Sequence, residues 1–479
     1  MKIIHKSLVL AMAAAVMAGS AWANNIQVSS VTQNGMVPGS HLLVRFNLQW
    51  ENSWRCDIAG AGQSAPYNWD AAWVFVKYKV APGDWHHATL NATGHSAPSG
   101  STIATPSDGK GVFIYRDANG TGTFTANGAW LRWNYAADGV GDTDTAEVMV
   151  CAVEMVYVPQ GAFNVGSGGT GWSEFYAGGG GKNPFNITSE EAITVGTAAG
   201  QLYYNSSDNG GDRGGPIPAA FPKGYAAFYG MKTEISQGQY CDFLNTLTGP
   251  QASARYSNEN GNYRHGITLS GSVYTSANWY VACNFLAWSD VAAYADWAAL
   301  RPLTELEFEK ACRGTETPVT NEYAWGKANI TAATGISNAG GTNEVASNSG
   351  ANCVYGNPGG VQGPMRVGCL AKSAATREQA GAGYYGMLEL SGNLYERPVT
   401  VGNAAGRAFS GLHGNGSLTT DGNAGVSNWP AINSSGAGFR GGCWYHPADF
   451  ARASDRTSAA LADGTRNRTY GGRCGRSAP

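Results

Sequence analysis

Charge is what this sequence has least of. Only 14% of its 479 residues are charged, against roughly 25% in ordinary globular chains. The 31 basic and 34 acidic side chains leave a formal net charge of -3. That balance gives no electrostatic footprint for nucleic acid, and no charge run marks a membrane-surface helix. No C-x-x-C occurs, which removes thioredoxin-like chemistry and the common zinc knuckles. A G-x-S-x-G elbow and an H-E-x-x-H helix are absent as well, and with them two familiar hydrolase signatures. Past the first 23 residues no segment is apolar enough to span a bilayer.

What the chain does hold is apolar and aromatic. It is 43% hydrophobic and 11% aromatic, which excludes disorder as a global description. Its 67 Gly are about twice the usual share, without the collagen period. With 15 Trp and 23 Tyr, this describes a loop-rich, aromatic-cored chain of two or three domains. Lys2 and Lys6 precede an apolar run, Leu8 to Ala18, and then Ala21-Trp22-Ala23. A basic start, a short apolar centre and an A-x-A end predict a secretory signal peptide over 1–23. The run is shorter than the roughly 17 residues of a membrane span, and no Cys follows to carry a lipid. The protein is expected to be exported: periplasmic, cell-surface or extracellular.

Nine cysteines follow, at 56, 151, 241, 283, 312, 353, 369, 443 and 474. Export permits disulfides, and an odd count leaves at least one thiol free. Cys353–Cys369 and Cys443–Cys474 would each close a local, loop-rich segment; separately buried thiols are the alternative. Cys241 and Cys312 stand among helix residues and read as core thiols.

Two regions are expected. From 24 to 152 the pattern alternates with period two between Gly, Asn, Asp and Pro clusters. His41–Trp50, Ala72–Val80, Val112–Arg116 and Ala129–Tyr135 read as strands, and Trp50, Trp73 and Trp133 as core residues. Short strands with turn signals and no helical stretch predict an all-β sandwich. From 153 to 479 the texture changes to Gly-rich loops with a few helices, an α+β region. Ser236-Gln237-Gly238-Gln239 and Thr304-Glu305-Leu306-Glu307 have the form of capping boxes, and a further helix follows Ser289. Gly166-Ser167-Gly168-Gly169-Thr170-Gly171 matches G-x-G-x-x-G, but no βαβ unit surrounds it. Asp138, Asp142, Asp144 and Glu147 cluster in a Gly loop that reads as a solvated turn, with a metal site as the alternative.

The second region resembles the formylglycine-generating, sulfatase-modifying-factor family. Val158-Pro159-Gln160-Gly161-Ala162-Phe163 is similar to its opening strand, and Glu234-Ile235-Ser236 with Gln239 and Tyr240 to its first helix. Trp288-Ser289-Asp290, running into Arg301-Pro302-Leu303-Thr304-Glu305, resembles its most recognisable segment. Tyr323-Ala324-Trp325-Gly326, Ser391-Gly392-Asn393-Leu394-Tyr395-Glu396, Phe439-Arg440-Gly441-Gly442-Cys443-Trp444 and Gly472-Arg473-Cys474 follow in the family's order. The implied fold is the family's variant of the C-type lectin fold, with many loops and buried tryptophans.

The resemblance also says what should be missing. Formylglycine-generating enzymes carry a copper-binding cysteine pair after the Gly-Gly-Ser-Trp block, because soft thiolates hold Cu(I). The matching positions here are Ala451 and Arg456, so no copper is expected. An iron branch needs three His with an H-x-x-x-H-x-E segment; the eight His here include no such motif, so no iron is expected. The family's Gly-Asn turn implies Ca²⁺ through Glu389, the carbonyls of Gly392 and Leu394, and Glu396, since calcium takes six to eight oxygens. A hydrogen-bonded turn without metal is the alternative.

What remains is binding. The same scaffold displays ligand surfaces in the variable proteins of diversity-generating retroelements. The matching segment here holds Trp444, Tyr445, His446, Asp449, Phe450, Arg452, Asp455, Arg466, Asn467 and Tyr470, a mixture that suits recognition. Arg452 and Arg456 are expected to pair with buried carboxylates. The expected function is therefore a non-catalytic recognition or surface-structural protein. Its partners would be an extracellular protein, a glycan or copies of itself. An enzyme of the family and a self-assembling envelope or fibre component are the alternatives.

Overall fold

The computed structural model describes residues 25–57, 65–171, 173–206, 209–372 and 375–479. The predicted signal peptide lies outside the described residues. The chain is mostly β-structure in several sheets with few helices. It divides into two compact units, one running to Met155 and one from Val156 to Ala478, with Thr246–Thr248 grouped with the first.

The first unit contains β1 (Gln27–Val37), β2 (His41–Arg55), β3 (Asp70–Val80), β4 (Trp85–His87), β5 (Ser101–Ala104), β6 (Val112–Arg116), β7 (Gly120–Trp133) and β8, Ala146–Val158, which carries the chain into the second unit. One sheet has the order β1-β2-β7; a second holds β8-β3-β6-β5, with β4 also on β3. Alternation explains the first sheet. Leu42, Val44, Phe46, Leu48 and Trp50 point inward from β2 and meet Ala126, Ala129, Leu131 and Trp133 of β7. Val74, Val76, Val112 and Ile114 from the second sheet close the same core. Trp50, Trp73 and Trp133 are fully buried as expected.

Two strands depart from the sequence reading. β7 starts at Gly120 rather than Ala129, because Phe124 and Ala126 are the only apolar residues in a first half otherwise of Gly, Thr and Asn, which reads as loop. It holds its register through a bulge at Asn127-Gly128. Gly128 has φ +79° and donates its N–H to Asn47 Oδ1 at 2.8 Å, a conformation that suits glycine. β3 is buried without a break from Asp70 to Tyr78, so it is covered on both faces rather than one. Asp70 is tolerable there because its carboxylate accepts from Trp50 Nε1 and Ser53 Oγ, each at 2.8 Å. The Asp138–Glu147 loop is equally occupied. Asp138 Oδ2 takes Trp133 Nε1 and Thr89 N–H, Asp142 takes Tyr135 Oη and Gly39 N–H, and Asp144 caps Gly141. It is a hydrogen-bonded turn.

The second unit is built on α1 (Gln237–Asn245), α2 (Gly249–Arg255), α3 (Trp288–Trp297) and α4 (Glu305–Arg313), among short strands and long loops. Both predicted capping boxes form. Gln239 N–H reaches Ser236 Oγ and the Gln239 side chain reaches back to Ser236 N–H. Thr304 and Glu307 exchange the same two bonds at 3.1 and 3.0 Å. α3 starts one residue earlier than Ser289, with Asp290 accepting the Ala287 N–H. Phe228–Met231, Cys474–Ser477 and Arg301–Pro302 pair antiparallel in that order, which seats the C-terminal strand beside the start of α4.

Candidate functional site

α4 carries Glu305, Glu309 and Arg313 at i, i+4 and i+8, one above the other on a single face. That face is fully buried. Glu305 receives Arg456 through both carboxylate oxygens, Nε at 2.7 Å and Nη2 at 2.9 Å. It also receives Arg440 at 3.0 Å and the Thr400 hydroxyl at 2.8 Å. Arg440 bridges on to Glu309 at 2.8 Å, Glu309 to Arg313 at 3.2 Å, and Arg313 to Glu322. Three guanidiniums face three carboxylates. Burial works against the Glu305 charge, but Arg456 and then Arg440 hold its carboxyl below the usual range. The Gly166 N–H donates to Glu309 at 2.8 Å, so the G-x-G-x-x-G loop closes over this network instead of a dinucleotide.

Arg456 stands where the resemblance puts one copper-binding cysteine. Its guanidinium lies 4.0 Å from the Phe175 ring centroid and 4.4 Å from that of Tyr204, and it donates to the Ser173 carbonyl at 2.9 Å. The other position, Ala451, is buried, its backbone so near Gly442 that a side chain there would clash with it, and its carbonyl accepts Ser391 Oγ at 2.7 Å. Ion pair, aromatic rings and backbone fill the place that the family's copper centre would take. The expected carboxylate for Arg456 is Glu305. Arg452 is different: it meets the Tyr323 hydroxyl, and its Nε is buried without a partner.

The predicted recognition segment divides in two. Tyr445 is 38% exposed and Asn467 is exposed; His446, Asp449, Phe450 and Arg452 are half-buried. His446 Nδ1 and Tyr395 Oη are 2.8 Å apart, and burial lowers the His446 pKa, with Arg468 acting the same way. Trp444 and Asp455 are buried, while Arg466 and Tyr470 are half-buried with their polar ends already engaged. Trp444 is a fully buried core residue with its indole on the Arg468 carbonyl. Asp455 is buried, pushed up to about 7 by burial, and takes the Thr457 hydroxyl. Arg466 forks onto Asp290 at 2.8 Å twice, and the Tyr470 hydroxyl donates to Asp463.

Glu389 and Glu396 lie together with Glu234 around Arg473. Glu396 Oε1 accepts Arg473 Nε at 2.7 Å, while the guanidinium donates also to the Met231 and Leu388 carbonyls. Glu234 takes Leu394 N–H at 2.8 Å and the Asn393 amide; Glu389 takes Gly368 N–H at 2.8 Å. Burial pushes Glu389 up to about 7, and burial with Glu389 next to it pushes Glu234 well above the carboxylate range. The residues do not fit calcium. Glu396 is already joined to a cation that would repel a divalent ion, and burial favours the protonated forms of Glu389 and Glu234. Among the described residues no three His, Cys, Asp or Glu side chains gather to hold a metal.

Cys353, Cys369, Cys443 and Cys474 are unbridged thiols, so the two bridges expected from sequence are not formed. Cys443 packs with Tyr395 and Phe439, Cys474 sits in its strand against Met231, Cys369 belongs to another apolar cluster, and Cys353 donates to the Ser391 carbonyl at 3.1 Å. Each partner is enclosed in different surroundings. Cys241 and Cys312 are core thiols as read. Eight thiols are buried and Cys56 alone is partly exposed. An aromatic disulfide reagent should therefore label Cys56 quickly in native protein, and all nine positions after unfolding without reductant. Recovery of a joined Cys443–Cys474 peptide would restore the bridge.

No curated protein matches this chain. Solved structures that match include Treponema denticola variable protein 1, at 13% identity and a TM-score of 0.34. That match covers 68% of this chain and 96% of the other. The model of the sulfatase-modifying factor enzyme 1-like domain matches residues 141–478. The α4 network and the Glu389–Glu396 turn both lie within that stretch, and the chain belongs to the family of sulfatase-modifying factor enzyme 1-like domains.

Proposed function

We propose that the protein is an exported, non-catalytic recognition or surface-structural protein: a β-sandwich followed by a C-type lectin-like scaffold of the sulfatase-modifying type. The observation that carries this reading is Arg456. A family member using copper needs a thiolate there, and this chain has a buried guanidinium bound through two oxygens to Glu305. The thiols of the same unit lie elsewhere and are held protonated, Cys443 up to about 12 by burial. A thiol in that state is neither a good nucleophile nor a good metal ligand. The half-exposed segment from Tyr445 to Arg452, with Asn467, offers the rigid aromatic and adaptable polar mixture that suits a binding surface.

Incubating the purified full chain with copper, oxygen and a cysteine peptide of the sulfatase type should yield no formylglycine by mass spectrometry. Conversion of that peptide would return the protein to the enzymes of its family. Ordered polymers in micrographs of the same preparation would move it to the self-assembling class instead.

A further inference from the structure

On the outer face of the β1-β2-β7 sheet, four successive rows can be read from the strand register. They are Asn34, Leu43 and Arg132; Thr32, Arg45 and Trp130; Ser29, Asn47 and Asn127; and Gln27, Gln49 and Thr125. Not one is a carboxylate. Trp130 is 40% exposed, unusual for the largest side chain, and Arg45 stands directly across from it. Among the described residues the Trp130 indole makes no ring contact or hydrogen bond, and neither guanidinium, Arg45 or Arg132, has a hydrogen bond or ion pair. Arg132 Nε is buried and unsatisfied. The other two arginines of this unit behave differently. Arg55 binds Asp57 and lies on Trp69, and Arg116 reaches Ser53, two carbonyls and the Phe124 ring.

A bare indole flanked by unpaired guanidiniums and by the amides of Gln49 and Asn127 has the chemistry of a sugar platform. The ring accepts the apolar face of a pyranose, amides match vicinal hydroxyls, and guanidinium forks match carboxylates. With two cations and no acid in the four rows, the ligand that complements the face is anionic. We propose that this sheet face binds a carboxylated polysaccharide, independently of any surface in the second unit.

Polygalacturonate in native affinity gels and calorimetry, with a neutral β-glucan beside it, tests this on the full chain. The full chain should be retarded by polygalacturonate and not by the glucan, and retardation should weaken with salt. Trp130→Ala should lower affinity at least about tenfold with an unchanged melting temperature, while Trp279→Ala, an exposed tryptophan of the second unit, should change nothing. Arg45→Gln, which removes no hydrogen bond or ion pair, should weaken binding even if Trp130→Ala folds poorly. Absence of retardation by polygalacturonate overturns the proposal, as does full retention in both variants. Equal binding of the glucan overturns the anionic assignment.

Discussion

Arg456→Ala should lower the unfolding free energy of the second unit by about 3–5 kcal/mol, the usual result of breaking one partner from a buried ion pair. Glu305 would keep Arg440 at 3.0 Å and Thr400 at 2.8 Å, yet lose the two-oxygen contact that offsets most of its desolvation. The Ser173 carbonyl and the two rings would lose their partner as well. Domains are typically stable by only about 5–15 kcal/mol, so the variant should be close to unfolding at body temperature. Lys at this position should recover only part of the loss, because an ammonium can neither fork onto both oxygens nor stack between Phe175 and Tyr204. Denaturant midpoints for the three proteins measure this. A midpoint for the Ala variant within experimental error of the native one would show that the network contributes nothing.

That network also marks where sequence reading stopped. Thr304-Glu305-Leu306-Glu307 was legible as a capping box, and the structure bears it out. The i, i+4, i+8 spacing of Glu305, Glu309 and Arg313 stood in the same nine residues and pointed to one charged face, but such a face is usually solvated. Only the partners that cover it, Arg440 and Arg456 from more than 130 residues away, reveal it as core. Burial of Trp50, Trp73 and Trp133 was legible because alternation and residue type agree. Gly120–Asn127 was not, since Phe124 and Ala126 are too short an alternation to stand out from the surrounding Gly and Thr. Trp444 and Asp455 were misplaced for the opposite reason: aromatic and polar types suit both a recognition surface and an interior rich in hydrogen-bonded polar groups. The two disulfides were not legible either, since chain spacing does not tell that Cys443 packs with Tyr395 and Phe439 while Cys474 lies against Met231.

Glu389→Gln should stabilise the protein relative to the native chain as pH rises, with the difference opening between pH 5 and 8. In an unfolded chain a glutamate loses its proton near 4.5, whereas folded Glu389 keeps it to about 7 because burial outweighs the pull of Arg473. Between those values the folded state binds the extra proton, so its contribution to stability is complete below 4.5 and is lost as pH rises through 7. An amide keeps the neutral form and the Gly368 hydrogen bond at every pH. The gap between variant and native protein should reach on the order of 3 kcal/mol above pH 8. Comparing the two proteins is essential, because absolute stability mixes opposing groups. His413, lowered to about 2 by burial, then Arg476 and Arg301, destabilises the fold as pH falls below 6.5, and it does so equally in both chains. Glu234 shares the cluster, so the native transition should be broad, as for coupled sites. Excess calcium at pH 8 should leave the native midpoint where it was. A rise in that midpoint, abolished by Glu389→Gln, would place a divalent ion in the cluster after all, and a pH-independent gap would mean that folding leaves the proton affinity of Glu389 unchanged.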